Sequence, residues 1–222
     1  MIVGVVSFGK APGVTVFSAG LAAEQYRRTG RSLLVEWDRS GNDFGGRHLV
    51  SVSVGMISLA AAAGTPLDIA DHVQIARWGG GVLVGATTRR QAALTYSPEM
   101  IGVIQQTSGV IDYGRWTPES VAELAVCDVL IGLVSAAYAG AERAREEIRS
   151  VNHDRVQLFA VGSGYPVSEI SDLVGRPVEA VVPWDPRAAT QLLDGQWGRR
   201  QARSSLGQFL GSVVDALEPG DG

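Results

Sequence analysis

Short, unbroken apolar runs recur along the chain, and between them the apolar positions fall at helical spacing. The runs at 2–6, 32–36, 81–85, 109–112, 129–134, 156–161 and 178–182 are rich in Val, Ile and Leu and do not alternate with polar residues. That is the pattern of strands buried on both faces. The spacing predicts helices near 14–28, 56–63, 66–75, 88–106, 117–125, 138–151, 166–174 and 186–193. Pro186 suits the first turn of the last of these, with Asp185 as its N-cap, and Asp68 and Ser168 can cap in the same way. A further segment, 199–217, places Ala202, Leu206, Phe209, Leu210, Val213 and Leu217 at helical spacing behind Arg199, Arg200 and Arg203. It reads as an amphipathic closing helix docked on the sheet with its arginines in water. The alternative is a basic end that touches DNA or a membrane. Strand-helix alternation of this kind builds an α/β fold, a doubly wound and mostly parallel sheet of about seven strands with helices on both faces. Ligands of such sheets bind beyond the carboxyl ends of the strands, which points to the loops after Ser7, Glu36 and Asp112.

Length and composition narrow this further. A chain of 222 residues, 45% apolar and 19% charged, suits one globular α/β domain spanning 1–222. A net charge of -4 argues against nucleic-acid binding by the whole surface, though not against a local patch. The single cysteine, Cys127, sits in an apolar run and reads as a small core residue more than as a nucleophile. His48, His72 and His153 lack metal-ligand spacing, so zinc is not expected. Gly162-Ser163-Gly164 lacks the full nucleophile-elbow pattern, and no histidine follows it. Gly45-Gly46 and Gly79-Gly80-Gly81 read as loop hinges, and the last four residues as a frayed end. The N-terminal apolar stretch is short and has no basic flank, so it does not read as a signal peptide. With no run long enough to span a membrane, the expected compartment is the cytoplasm.

The first loop carries the most chemistry. Of 19 basic residues only Lys10 is a lysine, and it lies in Phe8-Gly9-Lys10-Ala11-Pro12-Gly13-Val14-Thr15 between the first strand and the first helix. A strand, a flexible loop and a helix in that order point backbone N–H groups and a helix N-terminus at an anion such as phosphate. Two carboxylates, Glu36 and Asp38, end the second strand, and Asp112 ends a middle one. Each has an ordinary structural use as well: Asp38 can cap a turn with Ser40 and Gly41, and Asp112 can satisfy backbone donors. Trp37, Trp116 and Trp184 fall beside these motifs, either as packing or as fillers of the pocket that a ligand would occupy.

Together with Val182-Pro183-Trp184-Asp185-Pro186, these motifs in this order resemble the ParA/MinD family of deviant-Walker P-loop ATPases. The likeness is to the divergent MinD-like branch common in arginine-rich actinobacterial proteomes, some of whose relatives accompany Tad-type pilus or secretion ATPases. The resemblance implies a P-loop NTPase-like fold and an ATP/ADP site with Mg, formed by Gly9, Lys10, Ala11, Pro12, Gly13, Val14 and Thr15. The Pro183 to Asp185 turn would cradle the base, although Val161-Gly162-Ser163-Gly164 holds no base-reading Asn. Active members read Lys-Gly-Gly-x-Gly-Lys-Thr-Thr. Laid on without gaps, Lys10 takes the signature position that reaches across a dimer, Thr15 the phosphate-binding lysine, and Val16 the metal-binding hydroxyl. Shifted by one, Thr15 takes the hydroxyl position and Val14 replaces the lysine. Neither frame restores both groups.

By the same resemblance Glu36, Asp38 and Asp112 match the magnesium-associated acids, with Asp38 and Asp112 the catalytic ones in an active member. The expectation is a pseudo-ATPase that positions or scaffolds a partner, in partitioning or in secretion and pilus work, with homodimerisation through the Lys10 face. One alternative is a slow ATPase in which Arg39 or Arg115 supplies the missing cation. Another is a DNA-binding partition module using Arg199, Arg200 and Arg203.

Overall fold

The computed structural model describes residues 1–41, 44, 50–62 and 68–217. Eight strands form one sheet: β1 (Ile2–Phe8), β2 (Leu33–Glu36), β3 (Gln74–Ile75), β4 (Gly81–Leu83), β5 (Gly109–Arg115), β6 (Val129–Ser135), β7 (Val156–Val161) and β8 (Val178–Val181). Their order is β3-β4-β2-β5-β1-β6-β7-β8, and every pair is parallel except β3 with β4. Among the described residues the helices are α1 (Val14–Thr29), α2 (Met56–Ala61), α3 (Arg89–Thr95), α4 (Pro98–Ile104), α5 (Val121–Leu124), α6 (Tyr138–Arg149), α7 (Val167–Val174), α8 (Pro186–Leu193), α9 (Arg199–Ala202) and α10 (Ser205–Leu217).

Because the strands are apolar on both faces, two cores form. On one face α1, α8 and α10 bury Phe17, Leu21, Leu192, Leu210 and Val214 against Val3, Val5, Val110 and Ile131. On the other, Met56, Ala92, Met100, Ala141, Ile148 and Ile170 cover Val6, Val35, Ile111 and Leu130. Each fully buried Leu or Phe adds about 1.5–3 kcal/mol. The helices therefore fix the sheet from both sides, and the loops at its carboxyl edge hang from rigid strands.

Several expectations change. The sheet has an eighth, antiparallel edge strand, β3, where a helix over 66–75 was expected; only a 3-10 turn at Ile69–His72, capped by Asp68, precedes it. The helix expected over 88–106 is two, because Pro98 opens a new first turn. The segment 117–125 divides into a 3-10 turn, Pro118–Ser120, and α5, and 199–217 divides into α9 and α10. Ser168 is not a cap but lies inside α7, whose N-cap is Pro166, whereas Asp185 does cap α8 by accepting the Ala188 N–H at 3.0 Å. Gly45, Gly46, His48 and the terminal Pro219 to Gly222 lie outside the described residues.

The closing helix docks as its periodicity requires. Leu206, Leu210, Val213, Val214 and Leu217 of α10 are buried, and Phe209 joins Phe17 and Phe159 edge-to-face at 6.3 and 5.5 Å. Arg28 of α1 ties the helix down through Asp215 and the Gly211 carbonyl. An apolar face held in this way is not free to enter a lipid surface. Among the described residues no helix is long and apolar enough to cross a membrane. Cys127 is buried against Tyr113, and burial pushes its thiol pKa up to about 12, which suits a core residue and not a nucleophile.

Candidate functional site

The loop between β1 and α1 is built for close approach. Gly9 and Gly13 adopt positive φ, and so does Lys10 at 64°, a left-handed conformation that costs a side-chain-bearing residue about 1–2 kcal/mol. The Ser7 hydroxyl donates to the Ala11 carbonyl at 2.7 Å, and the Gly9 N–H donates to Glu147 of α6 at 2.6 Å. A side chain at Gly9 would collide with the Gly140 carbonyl, so α6 holds the start of the loop. Gly13 is the N-cap of α1 and offers no side-chain cap, which leaves the first-turn N–H groups for something else.

Asp112 is fully buried at the end of β5. Its Oδ1 accepts the Gly114 N–H at 2.9 Å, and its Oδ2 is buried without a well-formed hydrogen bond. Burial pushes its pKa up to about 6; the Thr15 hydroxyl beside it and the Gly114 N–H pull it down, and the Asp38 charge adds to the rise. Asp38, on the loop after β2, accepts the Ser40 N–H at 2.7 Å and the Ser40 hydroxyl at 2.6 Å. Its carboxylate lies where a side chain at Gly114 would fall. Glu36 is buried one strand over and accepts the Gly85 N–H at 2.9 Å.

Three cavities open along this edge. One of about 310 Å³ is lined by Ser7, Ala11, Pro12, Gly13, Val14, Thr15, Asp38, Gly114 and Arg115. It shares Pro12, Gly13, Val16 and Leu193 with an apolar cavity of about 290 Å³ whose walls include Phe17, Val161, Val182, Pro183, Trp184 and Asp185. On its other side it shares Asp38 and Arg115 with a cavity of about 410 Å³ that also holds Arg39, Arg89 and Trp116.

The residues singled out from sequence therefore separate. Ala11, Pro12, Gly13, Val14, Thr15 and Asp38 line the central cavity, with Asp112 packed behind Thr15, and Pro183 and Asp185 line the apolar one. Asp185 is engaged in capping α8 and in accepting the Ser205 hydroxyl at 3.2 Å. Gly9, Lys10 and Glu36 line neither cavity. Contact between Thr15 and Asp112 is what the shifted frame requires; the gap-free frame, with Val16 at the hydroxyl position, does not account for it. In the shifted frame the signature position falls on Gly9, where α6 leaves no room for a side chain, and Lys10 comes one residue late. No tryptophan lines the central cavity: Trp37 is buried against Tyr96 with rings 4.7 Å apart, Trp116 lines the neighbouring cavity, and Trp184 is 80% exposed. Trp184 instead lies on the wall of the apolar cavity. Among the described residues no three His, Cys, Asp or Glu side chains form a metal cage.

Comparison of the whole fold gives the family context. A ParA family ATPase from Chlorobium tepidum TLS superposes with a TM-score of 0.80 at 17% identity, covering 98% of each chain. The chain has the ParA/MinD fold. The septum site-determining protein MinD from Pyrococcus horikoshii OT3, solved as a Mg-ADP complex, gives 0.76 at 17% identity over 98% of this chain and 95% of that one. A chain of the MinC:MinD cell division protein complex from Aquifex aeolicus gives 0.65 at 15% identity over 98% and 96%. No family model matches the chain, and no curated protein matches it in sequence.

Two features of this site were not singled out from the sequence. Gly114 is required by its φ of 63° and by the approach of Asp38, and Glu147 anchors the loop from a distant helix. The Asp112-Tyr113-Gly114-Arg115 run held the signal for the first; nothing local signals the second.

Proposed function

We propose that this chain holds a magnesium-bound nucleotide in a degenerate ParA/MinD-like site and works as a cytoplasmic positioning or scaffolding factor, not as an efficient ATPase. The observation that carries this is Val14. It stands in the first turn of α1, on the wall of the cavity that Thr15 and Asp38 line and Asp112 backs, where the shifted frame puts the phosphate-binding lysine. The oxygens present suit a hard cation: the Thr15 hydroxyl, the buried Asp112 carboxylate packed behind it, and the Asp38 carboxylate on the cavity wall. Magnesium is commonly held by one or two carboxylates together with phosphate oxygens and water, so the lack of a full protein cage is no obstacle. When bound, such a cation neutralises phosphate charge. The uncapped N–H groups of α1 favour the same anion.

Hydrolysis asks for more. Phosphoryl transfer depends on positioned charge around the transferring group, and a valine brings none. The metal end of the site therefore supports binding, and the missing ammonium argues against turnover. Lys10, exposed at the tip of the loop, suits contact with a partner or a second copy, in keeping with the MinC-bound relative. Arg199 and Arg200 are exposed on α9 and Arg203 just after it, leaving a DNA contact as the lesser reading.

Calorimetric titration with ATP, ADP and GTP at millimolar magnesium tests this. Magnesium-dependent binding that disappears in Asp112→Ala is the expected outcome. No binding of any nucleotide would refute the site, and rapid turnover would refute its degeneracy.

A further inference from the structure

We infer that Arg115 is the cation that meets the terminal phosphates in this chain, in place of the lysine that Val14 lacks. The inference rests on reading the central cavity as a phosphate site. Strand geometry is the first support. Side chains alternate between the two faces of a strand, so Asp112 and Arg115, three apart, belong on opposite faces of a regular β5. The ladder is not regular there. Val5 of β1 pairs with Asp112 and Ser7 with Arg115, so two residues of β5 oppose one of β1. Such a bulge shifts the phase by one residue and re-aims the side chain that follows. Gly114, at φ 63°, makes the turn and leaves room for Asp38. Arg115 is thereby brought to the wall of the cavity that Thr15 and Asp38 line.

Availability is the second support. Arg39, the other arginine beside the carboxylate loops, is committed to Glu123, with its Nε at 3.2 Å and its Nη2 also bonded. Arg89 lines only the neighbouring cavity, and Lys10 neither. Arg115 is exposed and makes no side-chain hydrogen bond or ion pair among the described residues. It is the only cationic residue described on the wall of the central cavity.

The chemistry fits the place. A guanidinium is always charged and can take two phosphate oxygens at once. Reaching in from the rim, it grips the outer phosphates, and its exposure makes the grip sensitive to salt. It does not restore the ammonium of the helix first turn, so a stronger hold on the nucleotide and poor turnover go together.

The test is a set of titrations of the wild-type chain, Arg115→Ala, Arg115→Lys and Arg89→Ala with adenosine, ATP and inorganic pyrophosphate at fixed magnesium. Arg115→Ala should weaken ATP and pyrophosphate about tenfold or more and leave adenosine unchanged. Arg115→Lys should keep part of the affinity, and Arg89→Ala all of it. Unchanged ATP binding in Arg115→Ala, or equal losses for adenosine and ATP, would overturn the inference while leaving the nucleotide site standing. A wild-type chain that takes up neither ATP nor pyrophosphate would remove both.

Discussion

Replacing Asp112 by Asn should stabilise the protein at neutral pH, although it damages the site. Asp112 is fully buried, and burial, with the Asp38 charge adding to it, pushes the carboxyl pKa up to about 6 from an ordinary 3.8. A carboxyl whose pKa is higher in the folded state binds its proton more tightly there. The stability linked to it is fully present below about pH 4 and is lost as pH rises through about 6. A gap of roughly two units corresponds to about 3 kcal/mol. Asparagine keeps the shape and an oxygen for the Gly114 N–H, offers an amide to the Thr15 hydroxyl, and never ionises. Urea unfolding followed by circular dichroism, without magnesium, at pH values from about 4 to 8 measures the difference. The two proteins should be closest in stability at the acid end, with the variant ahead by about 2–3 kcal/mol at the alkaline end. Parallel pH profiles, or a variant less stable at pH 8, would refute the reasoning. A carboxylate that costs the fold this much is better explained by the cavity it serves than by packing.

Other outcomes follow from single contacts. Gly114→Ala combines left-handed strain with displacement of Asp38 and should cost about 2–4 kcal/mol in urea unfolding. Glu24 is buried under the C-terminal helices and accepts bonds from Arg27 and Arg28 at 2.6–3.0 Å and from Trp197 at 3.4 Å. Burial raises its pKa, but the two arginines outweigh burial and the net shift is downward. Its contribution is therefore present above the ordinary carboxyl pKa and lost as pH falls, and Glu24→Ala should cost about 2–4 kcal/mol at pH 7. Reversing Arg199, Arg200 and Arg203 to Glu should change stability by less than about 0.5 kcal/mol. A gel shift should find no DNA binding for those three residues to mediate.

Seven of the eight strands, and the loop between β1 and α1, were legible because buried parallel strands and a glycine-bearing strand-to-helix turn leave local signals. What the sequence hid was geometry. The two-residue β3 is too short for a periodic signal and takes its pairing from β4. Ser97-Pro98 divides a continuous apolar pattern, which periodicity alone reads through. In the loop, counting from Lys10 favoured the gap-free frame. The packing of Thr15 on Asp112 and of Gly9 on Gly140, both set by the fold, favours the shifted frame. Arg115 was one of two candidate cations. The bulge at Gly114 and the ion pair of Arg39 with Glu123, both long-range features, separate them.

Phosphate release from saturating ATP with magnesium, measured side by side for the wild-type chain and Asp38→Ala on samples shown to bind the nucleotide, is the most direct test of a site that holds but does not turn over. Rates indistinguishable from each other and from background are predicted. Steady release by the wild type that is lost in Asp38→Ala would contradict the account.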